Sequence, residues 1–453
     1  MISINESNRK WWVLAAMGGT LALIVLDETV VGVALPTIRR ELSMSQVNSH
    51  WIVNAYFLVF TALAAAAGKM GDLFGYQKLF LCALGLFGLS SIACGLAESG
   101  TALIAARAAQ GLGAAVIFPF TVAMITAVFK PEERGRAFGI QTAIGGCFIS
   151  MGPLVGGFLT DVLSWRWIFW INIPVVIAIT LVVLAAWREP ERDAGPPRAR
   201  LDLAGLALLI IGLAALVVAI MEVPDYGWSN PYIISGIIIG PISLIAFVAL
   251  ELKIQSPLFD LRLFSMRTIS VMNSIVFMGE FGKITLIVFG ALFLQKSLGF
   301  SPFLAGAALI PAMLPSLFAA LVVGNLSDKF DERKMSLIGL TLNAGGMIWL
   351  AIFVNFDSYW LLLPALLAWG LALPFHFVST RRAIVNSVPT EKLGQSGGLT
   401  MTAQLMGGTV SMAICGTMLA ASGRFDGLYW LSGILMALVA VSGYIRLKRE
   451  FAY

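Results

Sequence analysis

Residues 11–38 read WWVLAAMGGTLALIVLDETVVGVALPTI. The run from Trp11 to Leu35 is long enough to cross a bilayer, which takes about 20 apolar residues. Asp27 and Glu28 nevertheless stand inside it, not at an end. An acid in the hydrocarbon costs on the order of 3 kcal/mol on insertion scales, so it is expected to face the protein interior and to act there. Adjacent helical residues point about 100° apart, so the two carboxylates cannot share one facing direction. The rest of the sequence reads as a frame that lets them be used.

Composition places the chain among polytopic membrane proteins. It has 453 residues, of which 58% are hydrophobic and only 12% charged, with a mean hydropathy of +0.88. Apolar runs of membrane length recur along the whole chain, which no soluble domain requires. The net charge of +5 is spread over short loops and not gathered in one patch, so it reports topology and argues against a nucleic-acid partner. No short apolar run followed by a small-residue cleavage site opens the chain, so the first span is expected to be retained as an anchor. Cys82, Cys94, Cys147 and Cys415 all lie in apolar runs without metal spacing and are expected to be free thiols.

Fourteen spans are predicted, at 11–36, 50–68, 79–97, 101–128, 136–160, 167–187, 202–222, 232–251, 268–296, 302–324, 335–354, 358–380, 395–421 and 427–446. With the N-terminus inside, only Arg39, Arg40, Arg166, Lys296 and Arg424 fall outside, and Arg107 and Lys283 fall within spans. The rest of the 30 Lys and Arg lie in inner segments. The positive-inside rule then puts both termini in the cytoplasm. An internal repeat is also legible. GKMGDLFGYQK at 68–78 and GNLSDKFDERK at 324–334 share Gly, Asp and a terminal Lys at the same offsets. Each follows the second span of a six-span block. The expected organisation is an N-terminal six-helix bundle at 11–187, cytoplasmic linkers with two inserted helices at 188–267, and a C-terminal six-helix bundle at 268–446. Two similar bundles with a site between them is an architecture of secondary transporters.

These strings resemble the major facilitator superfamily, in its fourteen-span drug:proton antiporter branch. Gly68, Asp72, Gly75 and Lys78 match the family's cytoplasmic signature, although Leu73, Tyr76 and Gln77 stand where basic residues are usual. The second copy, with Asp328, Lys329, Arg333 and Lys334, is better preserved. LDETVVGVALP is similar to the first-span motif, with Gly32 where Asn is commoner. HWIVNAYFL carries the Trp51 and Tyr56 of the second span, and LIAARAAQGLGAA resembles the fourth-span motif around Arg107, Gln110 and Gly111. GGCFISMGPLVGG resembles the fifth-span antiporter motif, and WRWIFWINIPV the start of the sixth span. LDLAG at 201–205 and PLFDLRLF at 257–264 match around the inserted spans, so the resemblance covers nearly the whole chain. It implies an all-α membrane fold of two six-helix bundles plus two inserted helices. It also implies proton-coupled multidrug efflux with antibiotic resistance, in the cytoplasmic (inner) membrane of a bacterium.

Asp27 lies nine residues before Pro36, about 13 Å below the outer helix end, and Arg107 about 9 Å below the same surface. Burial raises a carboxylate's pKa and a nearby guanidinium lowers it, so relative motion of the two would load and release a proton. The family resemblance implies that both take part in coupling; the plainer reading is a static ion pair. Glu28 reads either as a second proton carrier and cation attractor or as a helix-interface acid. In the fifth span, Gly152, Pro153 and Gly156 permit close backbone approach and a bend, suited to a hinge against the other bundle. Glu280 and Lys283 share a helix face and are expected to pair. Because their span opens the second bundle, Glu280 is a second substrate or proton candidate, with Phe148, Met278 and Phe281 as apolar lining. His50 is expected at the solvated outer end of span two, and His376 as a satisfied packing residue.

No nucleotide-phosphate loop, metal-ligand cluster or nucleophile triad is present in the sequence, so no enzyme activity, metal or cofactor is expected and an ion gradient supplies the energy. The expected partners are a small-molecule substrate, protons and the bilayer. No motif implies an oligomer, so a monomer is expected; an accessory periplasmic protein that takes substrate onward is left open. The function expected is export of amphipathic or cationic small molecules in exchange for protons. A dedicated exporter of one metabolite, siderophore or lipid-like compound would carry the same motifs. A membrane scaffold or sensor without flux gives no reason for buried Asp27 and Arg107.

Overall fold

The computed structural model describes residues 5–6, 8–189, 202–254, 257–326, 330–356, 358–388 and 393–448. Fourteen of its helices are long and apolar enough to span a membrane. They are α1 (Arg9–Glu41), α2 (Gln46–Phe74), α3 (Tyr76–Leu96), α4 (Gly100–Val128) and α5 (Pro131–Phe158, continued by a π turn, Leu159–Leu163). Then come α6 (Trp167–Ala186), α7 (Leu203–Tyr226), α8 (Pro231–Glu251) and α9 (Arg267–Lys296, with a π turn at Thr285–Phe289). The last five are α10 (Pro302–Ala308 and Ile310–Leu326), α11 (Glu332–Phe353), α12 (Tyr359–Ser387), α13 (Leu393–Ser422) and α14 (Asp426–Leu447). No strand occurs among the described residues.

Helices are the expected answer to a chain this apolar, because lipid offers no partner for backbone N–H and C=O groups. The predicted first span stops at Pro36, yet α1 runs on for another turn to Glu41. Membrane helices tolerate an internal proline where neighbours re-satisfy the freed backbone group. Likewise α12 continues to Ser387, so Arg381, read from sequence as an inner-loop charge, belongs to a helix.

The two sets of six helices repeat one pairing scheme. In the first, α1 packs on α5 and α6, α2 on α4, and α3 on α4 and α6. In the second, α9 packs on α13 and α14, α10 on α12, and α11 on α12 and α14. The sets meet along three seams: α1 on α9, α2 on α13, and α5 on α10. The last two are the same pairing with the partners exchanged, as a pseudo-two-fold relation requires. The inserted helices pack on each other, and α7 also rests on both α2 and α13. Trp51 Nε1 on α2 donates to Glu222 Oε1 on α7 at 2.7 Å, and Thr417 Oγ1 on α13 donates to the Ile220 carbonyl at 2.7 Å. The inserted pair therefore braces the α2–α13 seam from the lipid side.

The α5–α10 seam depends on missing side chains. A Cβ on Gly306 would overlap the carbonyl oxygen of Pro153, and one on Gly152 would overlap the Thr29 hydroxyl of α1. Only glycine lets three backbones pass so closely.

Candidate functional site

Asp27 is wholly buried, and its two oxygens meet a complete set of donors. Oδ2 pairs with Arg107 Nη1 at 2.5 Å. Oδ1 accepts from Gln110 Nε2 at 2.9 Å and from Asn172 Nδ2 at 3.1 Å. Arg107 donates through Nε to the Ile52 carbonyl at 3.0 Å and through Nη1 to Gln110 Oε1 at 2.7 Å. Its guanidinium carbon lies 4.3 Å from the Tyr56 ring centroid, a cation–π contact. Ser91 Oγ closes the network, accepting from Gln110 and Asn172 and donating to the Phe169 carbonyl. Helices α1, α2, α3, α4 and α6 all contribute. The arrangement surrounds a buried ion pair with side-chain donors, which offsets part of the cost of burying it.

Glu28, one residue on, faces the other way. Its Oε2 lies 3.6 Å from Lys283 Nζ on α9, across the seam between the helix sets. Lys283 also pairs with Glu280 Oε1 at 2.5 Å, and Glu280 Oε2 accepts from Gln404 Nε2 of α13 at 3.0 Å. All of these but Gln404 are buried. One ammonium thus serves two carboxylates, one from each half. Thr61 of α2 and Thr409 of α13 meet at 3.0 Å, and Ser150 Oγ of α5 donates to the Met313 carbonyl of α10 at 3.2 Å. Further along α1, the Gln295 amide donates to the Val33 carbonyl at 2.8 Å. The halves are therefore joined from the level of Glu28 to the end where α1 gives way to α2, here termed the distal end.

The structure brings Asp27 and Arg107 together, and joins Glu28 and Glu280 through Lys283. Met278 and Phe281 are buried in the core of α9, whereas Phe148 on α5 is half-buried. Gly152, Pro153 and Gly156 sit where α5 crosses α1 and α10. Gly68 and Asp72 fall in the last turns of α2, and Gly75 (φ +91°) breaks the chain before α3. The α3 N-terminus, lacking the family's basic residues, is held from elsewhere. Glu189 accepts from the backbone amides of Tyr76 and Gln77 at 2.8 and 3.1 Å, as an acid does at a helix start. In the second copy, Asp328 and Lys329 lie outside the described residues; Arg333 pairs with Asp331 at 2.7 Å.

Two expectations need correcting. His50 is not solvated: it is 2% exposed, because α2 starts at Gln46 and the ring is covered by Phe289 and by α13 at Gly416. His376 is only half satisfied; its Nδ1 meets Asn343 at 2.9 Å while Nε2 has no partner among the described residues. Sequence reasoning also gave no role to Asn172 and Ser91. Asn172 was visible as the one amide in WINIPVVIAITLVV, the type of residue that an apolar span carries for a reason. Cysteines 82, 94, 147 and 415 are free thiols, as expected.

The sequence model of the Major Facilitator Superfamily matches residues 17–279 and 269–451. Puromycin resistance protein pur8 of Streptomyces alboniger is 33% identical over 90% of this chain and 82% of its own length. Multidrug resistance protein Stp of Mycobacterium tuberculosis is 31% identical over 93% of this chain and 76% of its own length. Among solved structures, the D-xylose-proton symporter superposes with a TM-score of 0.68 at 15% identity, covering 96% of this chain and 97% of that one. At that identity the likeness concerns the fold alone.

Proposed function

The chain is a fourteen-span member of the major facilitator superfamily, and from that premise we propose that it exports amphipathic, cationic small molecules in exchange for protons. The carrying observation is a charge count. Inside the helix bundle Asp27 pairs with Arg107, whereas Glu28 and Glu280 share Lys283, with Arg381 of α12 acting on Glu280 from further away. Among the direct contacts one carboxylate is in excess, and a buried carboxylate without its own cation is costly enough that something must neutralise it. A proton can do so, and so can a cationic substrate. Competition of the two for one surplus charge gives obligatory exchange.

The surplus sits on the cluster that joins the halves. Lys283 holds Glu28 of α1 and Glu280 of α9 together while the distal ends touch. Rocking of one half against the other separates Glu28 from Lys283, and the freed carboxylate takes a proton from the side it then faces. The proton moves this equilibrium only through its different affinity for the two arrangements. Asp27 and Arg107 couple the same motion to the packing of α1 and α4. The basic-residue count supports cytoplasmic termini and a distal end facing out, and the bacterial relatives support residence in the inner membrane of a bacterium. The structure then corresponds to the arrangement closed to the outside.

A second reading has its own support. One relative is named for resistance to a single compound, puromycin, and a dedicated exporter would use the same charge logic with a narrower pocket. Ethidium efflux from energised vesicles tests the proposal, with Asp27→Asn and Arg107→Ala compared with the parent, with and without a protonophore. Parent efflux that collapses with the proton gradient, and is absent in Asp27→Asn at normal abundance and in Arg107→Ala per molecule present in the membrane, is the expected result. A parent that moves neither ethidium nor similar cations overturns the multidrug reading and favours a single exported metabolite.

A further inference from the structure

The distal end carries a feature that proton-coupled export does not use. A cavity of about 360 Å³ opens between the end of α1, the start of α2 and the end of α9. Its lining includes Arg39, Arg40, Ser43, Gln46, His50 and Lys296, and no carboxylate. Under the positive-inside reading only five Lys or Arg lie on the outer side, and three of them converge here. Such a protein places few cations outside, so gathering them in one hollow requires a cause.

Among the described residues no carboxylate pairs with them. Glu41, adjacent to Arg40 in sequence, is turned away and accepts from Trp165 Nε1 at 2.7 Å. Arg39 spends one N–H on the Met44 carbonyl at 3.4 Å, and Lys296 lies 3.5 Å from the Gln46 side-chain oxygen. A guanidinium has five N–H donors and an ammonium three, so most remain for a ligand. His50 lines the same cavity, is buried, and makes no side-chain hydrogen bond among the described residues. A hollow of ligand size, lined by donors and like charges, lacks an acceptor-rich, negatively charged occupant.

We propose that this cavity binds an anionic group, a phosphate or carboxylate, and that its occupancy holds the distal end closed. Arg39, Arg40 and His50 come from α1 and α2, whereas Lys296 comes from α9, on the other side of the α1–α9 seam. An anion between them replaces repulsion with attraction across that seam. It binds less well once the halves part, and by that difference it favours the arrangement seen here. The group is supplied either by the headgroup of an anionic lipid or by a small soluble anion.

The test uses the full-length protein in lipid nanodiscs and reads its melting temperature. One arm titrates inorganic phosphate into discs of neutral phosphatidylcholine at constant ionic strength. The other replaces a quarter of that lipid with phosphatidylglycerol. At about ten times Kd, a ligand bound only by the folded protein raises Tm by a few degrees. A rise in the phosphate arm identifies a soluble anion, and a rise only with phosphatidylglycerol identifies a lipid headgroup; either supports the site. The variant carrying Arg39→Gln and Lys296→Gln should lose the response, and Arg424→Gln, whose arginine pairs with Asp426 away from the cavity, should keep it. A second readout needs only the parent. Occupancy should slow acylation of Lys296 by an amine reagent about tenfold at ten times Kd, with the other lysines unchanged, as read by mass spectrometry. A parent that responds in neither arm, with Lys296 unprotected, overturns the proposal. So does a doubly neutralised variant that responds like the parent.

Discussion

Asp27 and Glu28 are neighbours in sequence and differ in almost every other respect. Asp27 is enclosed within the first six helices and meets three side-chain donors at 2.5 to 3.1 Å. Glu28 looks across the seam to one ammonium at 3.6 Å, which another carboxylate holds more closely. The first contact survives any rigid movement of one half against the other; the second cannot. One helical step of about 100° thus separates a carboxylate that organises a half from one that senses the other half. Substitutions at the two sites should therefore fail in different ways.

The largest effect is expected at Arg107. Arg107→Ala leaves Asp27 buried without its cation, and breaking a buried pair in this way costs about 3–5 kcal/mol. Membrane abundance and Tm should fall together with transport. Asp27→Asn is gentler on stability, since the carboxamide still accepts from the guanidinium, but transport should be lost. An Arg107→Ala variant as stable as the parent would remove the basis for treating the Asp27 network as an organising centre.

Glu28→Gln should leave the fold nearly intact, within about 1 kcal/mol, because Lys283 keeps Glu280. Its effect should appear in coupling instead. Efflux measured against external pH should flatten, while Tm stays close to that of the parent. If Glu28→Gln keeps the parent's pH profile, the sensing carboxylate is Glu280, and the comparison holds between α1 and α9 and not within α1.

How much of this was legible in the sequence follows from the same geometry. Asp27, Arg107 and Gln110 announce themselves as polar residues in apolar runs, and helical rise alone places the acid and the guanidinium at similar depth. The Glu280–Lys283 pair is a three-residue spacing on one helix. The Glu28–Lys283 contact was not legible, because it depends on the register of α1 against α9, some 255 residues later. His50 was assigned to water because the predicted span began at residue 50, whereas α2 starts four residues earlier and two later helices cover the ring. The distal cation cavity was hidden for the same reason: Arg39 and Arg40 are far from Lys296 in the chain. Span number and composition are local properties of the chain. Contacts between halves are not.

The closure that brings Glu28 to Lys283 can be perturbed without touching either. Gly306→Val puts a side chain where the Pro153 carbonyl already lies. Overpacking of this kind costs about 1–3 kcal/mol, and the cost falls only on the arrangement in which α5 and α10 touch. A cysteine introduced at Gln295, which bonds the Val33 carbonyl in the closed state, should react about tenfold faster with an impermeant maleimide when Gly306→Val is present, since about 1.4 kcal/mol is a factor of ten. Unchanged labelling would mean that the α5–α10 seam does not govern distal closure.

The smallest expected effect comes from a carboxylate that neither organises nor senses, and it sets the scale for the other two. Asp331 precedes α11 and accepts from the backbone amide of Arg333 at 2.8 Å and from its guanidinium at 2.7 Å. Burial pushes the Asp331 pKa up, but the hydrogen bonds from Arg333 and its charge outweigh that and hold it below the ordinary carboxylate range. A depressed pKa in the folded state gives stability that is present above the unfolded value of about 3.9. That stability is lost as pH falls through the folded value. Asp331→Ala should therefore cost about 1 kcal/mol near neutral pH, the usual worth of a helix N-cap, and the variant and parent melting temperatures should converge in acid below about pH 4. Efflux and its pH profile should not change, because the group lies outside the interior charge count. A flattened efflux profile in Asp331→Ala would show that pH dependence in this protein does not single out the seam, and would remove the distinction drawn between Asp27 and Glu28.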